Sequence, residues 1–156
     1  MIRVANMIVS YNARDDLANY SPGTCLGIML CDPQHRRGGL LHVMPPDSSI
    51  DPVKVPVHPH MFVGTGLPRL FPAIYNLGAT RSQLGVKIAG WAQFIGTHTI
   101  FNIGQRDHHA IPSLLDRNGF SVHAADIGGA ACRTLRLSLT SGVVIIQSLD
   151  TPAYPL

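Results

Sequence analysis

An apolar run from Cys25 to Cys31 stops at Asp32-Pro33-Gln34-His35, and the chain then returns as Gly39-Leu40-Leu41-His42-Val43-Met44. Asp at the first and Pro at the second position favour a type I turn, so the two runs form a hairpin. With Pro33 and Gln34 as the loop, Asp32 faces His35, and counting back along both strands sets Cys25 opposite His42. Directly opposed side chains share a face and lie about 5 Å apart at Cβ. A thiol and an imidazole so placed make an activated nucleophile: the imidazole takes the proton and the thiolate attacks. Gly38-Gly39 can host a bulge, and a slip of one residue turns His42 to the other face.

Cysteine is most often a small buried hydrophobe, and a lone histidine is more often structural than catalytic. Cys25 differs from Cys31 and Cys132 in following Pro22-Gly23 at the mouth of a strand. Backbone N–H groups around Gly23 and Thr24 in that turn can hold an oxyanion. An imidazole beside Cys25 also predicts that it is alkylated faster than the other two cysteines near neutral pH.

The bounds of the chain fit this reading. Its 156 residues suit one domain, residues 1–150, followed by a frayed tail, residues 151–156, with two prolines. Apolar residues make up 46% and charged residues 13%, a globular composition. No apolar segment approaches the ~20 residues of a membrane span, and the first residues lack a secretory pattern. Three cysteines without framework spacing suit a reducing cytoplasm. A net charge of +3, from 12 basic and 9 acidic residues with no basic cluster beyond Arg36-Arg37, argues against nucleic acid.

Residues 2–9 read as a first strand, Asn12 to Asp16 as a loop, and Leu17 to Tyr20 as a short strand entering the Ser21-Pro22-Gly23 turn. Five prolines from Pro45 to Pro59 make a surface loop. His58 and His60 stand two apart, but the flanking prolines and missing partners argue against metal there. Leu67, Leu70, Phe71 and Ile74 have helical spacing, with Gly78 as cap; Pro68 fits a first turn, and Pro72 makes the helix start late or bend. Val86 to Ala89 reads as a buried strand, with Trp91 beyond it packed on the core. Asp107 caps a second helix from His108, with Ala110, Ile111, Leu114 and Leu115 inward and Gly119 at its end. His108 and His109 are adjacent and diverge, which argues against a shared metal. Phe120, Val122 and Ala124 alternate as a half-buried strand, and residues 126–129 turn the chain. Leu135, Leu137 and Leu139, then Thr140-Ser141-Gly142, then Val143 to Ile146 make a terminal hairpin. About eight strands and two helices give an α+β domain.

The run from Gly23 to Ser48 resembles the signature of CheD, the chemoreceptor glutamine deamidase family: a Gly-Ser/Thr-Cys step, an Asp-Pro turn, and a return ending in His–x–Met–x–Pro–Asp-Ser. The likeness continues in order through Val86 to Phe94, Asn102 to Asp107 and Ala125 to Gly129, and so covers roughly residues 17 to 147. It implies a β-sandwich-like core with helices outside, and a thiol hydrolase with Cys25 as nucleophile and His42 as base. No metal or organic cofactor is implied. The implied partners are a chemoreceptor cytoplasmic domain and a CheC-type chemotaxis phosphatase. The family has Thr six residues before the nucleophile, where this chain has Asn19; an Asn carbonyl can also accept from an imidazole N–H. Gly64 replaces a family Asp and Trp91 a small residue. Those departures leave a second reading open, a weakly active relative that binds a receptor or phosphatase.

Overall fold

The computed structural model describes residues 1–21, 24–44, 55–92, 110–117 and 119–156. Among them the chain runs β1 (Asn6–Ser10), β2 (Asp16–Ser21), β3 (Leu26–Asp32), β4 (Arg37–Val43), α1 (Val63–Asn76), a 3-10 turn (Arg81–Gln83) and β5 (Gly85–Gly90). It continues through α2 (Ala110–Arg117), β6 (Val122–Ile127), β7 (Arg133–Ser138), β8 (Val144–Ser148) and β9 (Tyr154–Pro155). One sheet has the order β1-β4-β3-β5-β6, antiparallel except for the parallel β5–β6 pair; the other, β2-β7-β8-β9, is antiparallel throughout.

Strand alternation explains how the layers stack, because successive side chains leave opposite faces. Leu26, Ile28 and Leu30 of β3 join Leu41 and Val43 of β4 in a core with Val63, Leu67, Leu70 and Ile74 of α1 and Ile111 and Leu115 of α2. Met29 and Cys31 join Leu40 in a second core, against Leu17, Leu135, Leu137, Val144 and Ile146 of the other sheet. The central strands are therefore buried on both faces, as their unbroken apolar runs require. The α+β sandwich with helices outside is the observed architecture.

The hairpin register differs from the one counted in the sequence. Leu26 pairs with Val43, Gly27 with His42, and Asp32 with Arg37, so the loop has four residues, Pro33 to Arg36. The Asp32 carboxylate accepts from the His35 N–H at 3.1 Å and pairs with His35 Nδ1 at 2.9 Å, while Arg36 turns through a positive φ of 54°. This side-chain closure of the loop competes with a two-residue turn and wins. Cys25 is thus not the residue opposite His42. The displacement is two residues, an even number, so the imidazole changes its partner and keeps its face. Gly38 and Gly39 pair in regular register without a bulge.

Three other expectations change. The first strand begins at Asn6, with Ile2 in a bridge to Asn19. Helix α1 starts early, at Val63, and holds both Pro68 and Pro72 inside it. Burial of Val63, Gly66, Leu67, Leu70, Phe71 and Ile74 on one face outweighs the ~3 kcal/mol an internal proline costs. Residues 151–156, expected as a frayed tail, carry paired backbone: β9 pairs with β8, the Leu156 N–H donates to Val144 O at 2.8 Å, and Lys87 Nζ donates to Leu156 O at 2.6 Å. Gly78 ends α1 with φ 86°, and β7 and β8 form the terminal hairpin, both as read. Most of the Pro-rich loop, Asp107 and His108-His109 lie outside the described residues.

Candidate active site

Two register rows meet inside the sandwich. One crosses the first sheet as Asn6, His42, Gly27, Ala89 and Asp126. The other crosses the second sheet as Asn19, Leu135, Ile146 and Tyr154. They interlock at Gly27, where an added Cβ would stand 2.4 Å from Leu135 Cδ1 and 3.5 Å from Asn19 Nδ2. The missing side chain lets Leu135 and Asn19 press against the strand that pairs with His42. Glycine inside a strand marks such an approach, and that was the available sequence signal for Gly27.

His42 and Asn19 are both fully buried. Among the described residues, neither ring nitrogen of His42 and neither amide atom of Asn19 has a hydrogen-bond partner. The anticipated bond from His42 to the Asn19 carbonyl is therefore not formed in this state. Leaving a polar group buried and unsatisfied costs about 1–3 kcal/mol, so this pair lowers stability where it stands. The N-terminal segment ties the two sheets beside it: Ile2 N–H donates to Ala18 O at 2.9 Å and Ala5 N–H to His42 O at 3.0 Å.

Cys25 precedes β3 and is only 4% exposed. Its carbonyl accepts from the Trp91 N–H at 2.8 Å. Gly90 sits so close that a Cβ there would lie 2.5 Å from Cys25 O, and its φ of +120° also favours glycine. Gly128 N–H donates to Gly90 O at 3.0 Å, which brings the Gly128-Gly129 turn to the same end of the sheet. Trp91 is buried in the helix-side core, so it packs as expected while its backbone holds Cys25. Thr24 is exposed in the turn before Cys25, and Gly23 lies outside the described residues.

Burial sets the electrostatics. It pushes the Cys25 thiol above its ordinary range and lowers His42 to about 4, because both charged forms lose hydration. Near neutral pH the resting groups are a neutral thiol and a neutral imidazole. Burial thus works against the ion pair ready for alkylation that the residue types alone suggest. None of Cys25, Cys31 and Cys132 is in a disulfide, and among the described residues no three His, Cys, Asp or Glu side chains converge as a metal site. No helix among them is long and apolar enough to cross a membrane.

The family model described as CheD chemotactic sensory transduction matches residues 44–148. The chain belongs to the CheD family. That matched span begins after Cys25 and His42, and curated relatives extend the likeness across both. The protein named "Probable chemoreceptor glutamine deamidase CheD 1" in Syntrophus aciditrophicus is 36% identical over 156 residues, 100% of this chain and 98% of its own length. A relative in Solibacter usitatus with the same name, without the number, is 35% identical over 147 residues, 94% of this chain and 87% of its own. The "CheD 2" of Anaeromyxobacter dehalogenans is 35% identical over 152 residues, 97% of this chain and 96% of its own.

Proposed function

We propose that this CheD-family chain is a protein-glutamine deamidase, a thiol hydrolase that converts glutamines of chemoreceptor cytoplasmic domains to glutamates in the cytoplasm. Cys25 is the nucleophile, His42 the base and Asn19 the residue that orients His42. The observation that carries the reading is the buried His42 and Asn19 on facing rows, without hydrogen-bond partners among the described residues, with His42 one strand step from Gly27, which is two residues from Cys25. A sandwich core gains nothing from four unsatisfied polar atoms, whereas a site that must receive a carboxamide and a water needs them.

The neutral resting pair determines the order of events. As the Cys25 sulfur attacks the glutamine carboxamide carbon, the thiol proton passes to His42, and an S–C bond forms. Backbone N–H groups around Gly23 and Thr24 hold the oxyanion. His42 returns the proton to the amide nitrogen, the C–N bond breaks and ammonia leaves, which gives a thioester. His42 then takes a proton from water; the hydroxyl attacks the thioester carbon, the S–C bond breaks, and the sulfur recovers its proton. The product is glutamate. With substrate bound, the Asn19 carbonyl oxygen accepts from a His42 ring N–H, a bond absent from the free structure, and fixes the tautomer that leaves the other nitrogen free. A glutamyl methyl ester follows the same route with methanol as leaving group, a weak side activity.

A second reading has its own support. Cys25 and His42 are nearly or fully buried, and the Asn19–His42 bond is not made at rest. A chain that chiefly binds a receptor or a CheC-type phosphatase would tolerate this. Incubation with chemoreceptor cytoplasmic fragments, followed by peptide mass mapping, separates the two. The deamidase gives Gln-to-Glu conversion that disappears in Cys25→Ala; tight binding without conversion sinks the enzymatic reading. Asn19→Thr should keep turnover, and Asn19→Leu should lower it about tenfold to a hundredfold.

A further inference from the structure

The site is divided between two sheets. His42 belongs to one, Asn19 to the other, and Cys25 lies just before β3, the central strand of the first. Apolar contacts between sheets resist separation but have little direction, so they do little to stop one sheet sliding over the other. Directional polar bonds can. At the far end of the His42 row stands Asp126, and at the far end of the Asn19 row stands Tyr154. These two ends are bonded to each other: the Tyr154 hydroxyl donates to Asp126 Oδ2 at 2.5 Å.

Arg133 completes the tie. Its Nε donates to Asp126 Oδ2 at 3.3 Å and its Nη2 to Oδ1 at 3.2 Å, a two-pronged pairing, while Nη1 donates to Ala131 O at 3.2 Å. The Arg133 side chain is 10% exposed and that of Asp126 23%, so water screens the bridge only in part. Arg133 also pairs with Ser21, the last residue of β2 before the turn into Cys25. Its Nη2 lies 3.3 Å from where a Cβ on Gly129 would be, beside the turn whose Gly128 N–H holds Gly90 against Cys25.

We propose that Asp126, Arg133 and Tyr154 are positioning residues for the Cys25–His42 site, fixing the register of one sheet over the other so that Asn19 meets His42. Three strand steps separate Asp126 from His42, on the order of 14 Å, so none of the three touches a reacting atom. Their effect passes through the two rows and through the Gly128–Gly90–Cys25 contacts. This inference rests on the deamidase reading for its kinetic consequence, and on geometry alone for its effect on His42.

Two measurements test it. The first is steady-state deamidation of a receptor fragment, well below the melting temperature of each variant. Arg133→Gln should lower kcat about tenfold with KM unchanged, Tyr154→Phe should lower it less, and Arg133→Lys should recover part of the loss. Tyr154 lies in a partly exposed two-residue strand, so Tyr154→Phe stays folded even if the arginine variants do not. The second is NMR titration of the His42 ring without substrate. It should titrate near pH 4 in the parent and at least about one unit higher in Arg133→Gln and Tyr154→Phe, as a loosened interface admits water. A purely structural tie would lower the melting temperature and leave both the folded-state kcat and the His42 titration unmoved, and that result overturns the proposal. A parent that deamidates nothing, with His42 still shifting in the variants, removes the deamidase reading and keeps the coupling between cluster and histidine.

Discussion

On the helix side of the first sheet, Leu26, Ile28, Leu30, Leu41 and Val43 meet the apolar stripe of α1 in an aliphatic layer. On the other side, the same two strands turn Met29, Leu40 and His42 toward a second sheet that answers with Leu17, Leu135 and Asn19. The first layer is built from apolar side chains. The second encloses two polar side chains that have no partners among the described residues. Hydrophobic burial contributes about 25 cal/mol per Å2 on both faces, but on the second some of it is offset by desolvated amide and imidazole. The helix-side core therefore holds the chain together, and the inter-sheet core gives up stability around the proposed site residues His42 and Asn19.

The sharpest way to break that contrast is to mutate each layer. Leu70→Ala, on the fully buried face of α1, should cost about 2–5 kcal/mol in urea unfolding and reduce turnover only through the unfolded fraction. His42→Leu should abolish conversion while leaving stability unchanged or raising it by about 1–3 kcal/mol, because an unsatisfied polar group gives way to an apolar one. A His42→Leu protein destabilised as much as Leu70→Ala would mean that His42 is a structural residue, and the two layers would then be alike.

Acid should separate the layers next. His42 titrates near 6.5 when unfolded and at about 4 when folded, so between those values the unfolded chain binds the extra proton. Its contribution to stability is in place above about pH 6.5 and is lost as pH falls toward 4, by roughly 3 kcal/mol in all. Carboxylates add their own slope, so the quantity to read is the difference between parent and His42→Leu in urea unfolding from pH 7 to 4. The parent should lose more stability over that range. Parallel curves would place the imidazole in contact with water.

Much of this division can be read from residue order, and the limits have physical causes. The apolar runs at 25–31 and 39–44, the alternation of Leu135, Leu137 and Leu139, and the stripe of α1 all rest on periodicity, which survives in the fold. The hairpin register did not follow from Asp32-Pro33, because the Asp32 carboxylate also bonds His35 and opens the loop to four residues. The early start of α1 was hidden by prolines, whose local cost is outweighed by long-range packing against β4 and β1. Cys25, His42 and Asn19 were all selected by residue type and family likeness, but their burial was not, since accessibility depends on the facing sheet. The Asp126–Arg133–Tyr154 tie joins positions remote in sequence, and no local pattern announces it.

The smallest effect concerns the cysteines, and it reverses what residue types alone suggest. Cys132 is half-buried beside an open cavity of about 540 Å3 that Tyr20 and Leu149 also line. Cys25 is nearly sealed and its thiol is held up by burial; Cys31 is pushed to about 11 by burial and by the neighbouring Asp32, against a partial offset from Lys87. Alkylation needs both access and thiolate, so iodoacetamide near neutral pH should label Cys132 first and Cys31 last in the folded protein. Because His42 is neutral at rest, His42→Ala should leave the Cys25 rate little changed in the absence of substrate. Peptide mass spectrometry over a time course reads all three sites at once. If Cys25 labels first and slows in His42→Ala, an imidazolium already stabilises a thiolate there, and the inter-sheet core borders a charged pair rather than two neutral groups. The cost of that layer would then lie in desolvating ions, and its acid sensitivity would move to the pKa of the pair.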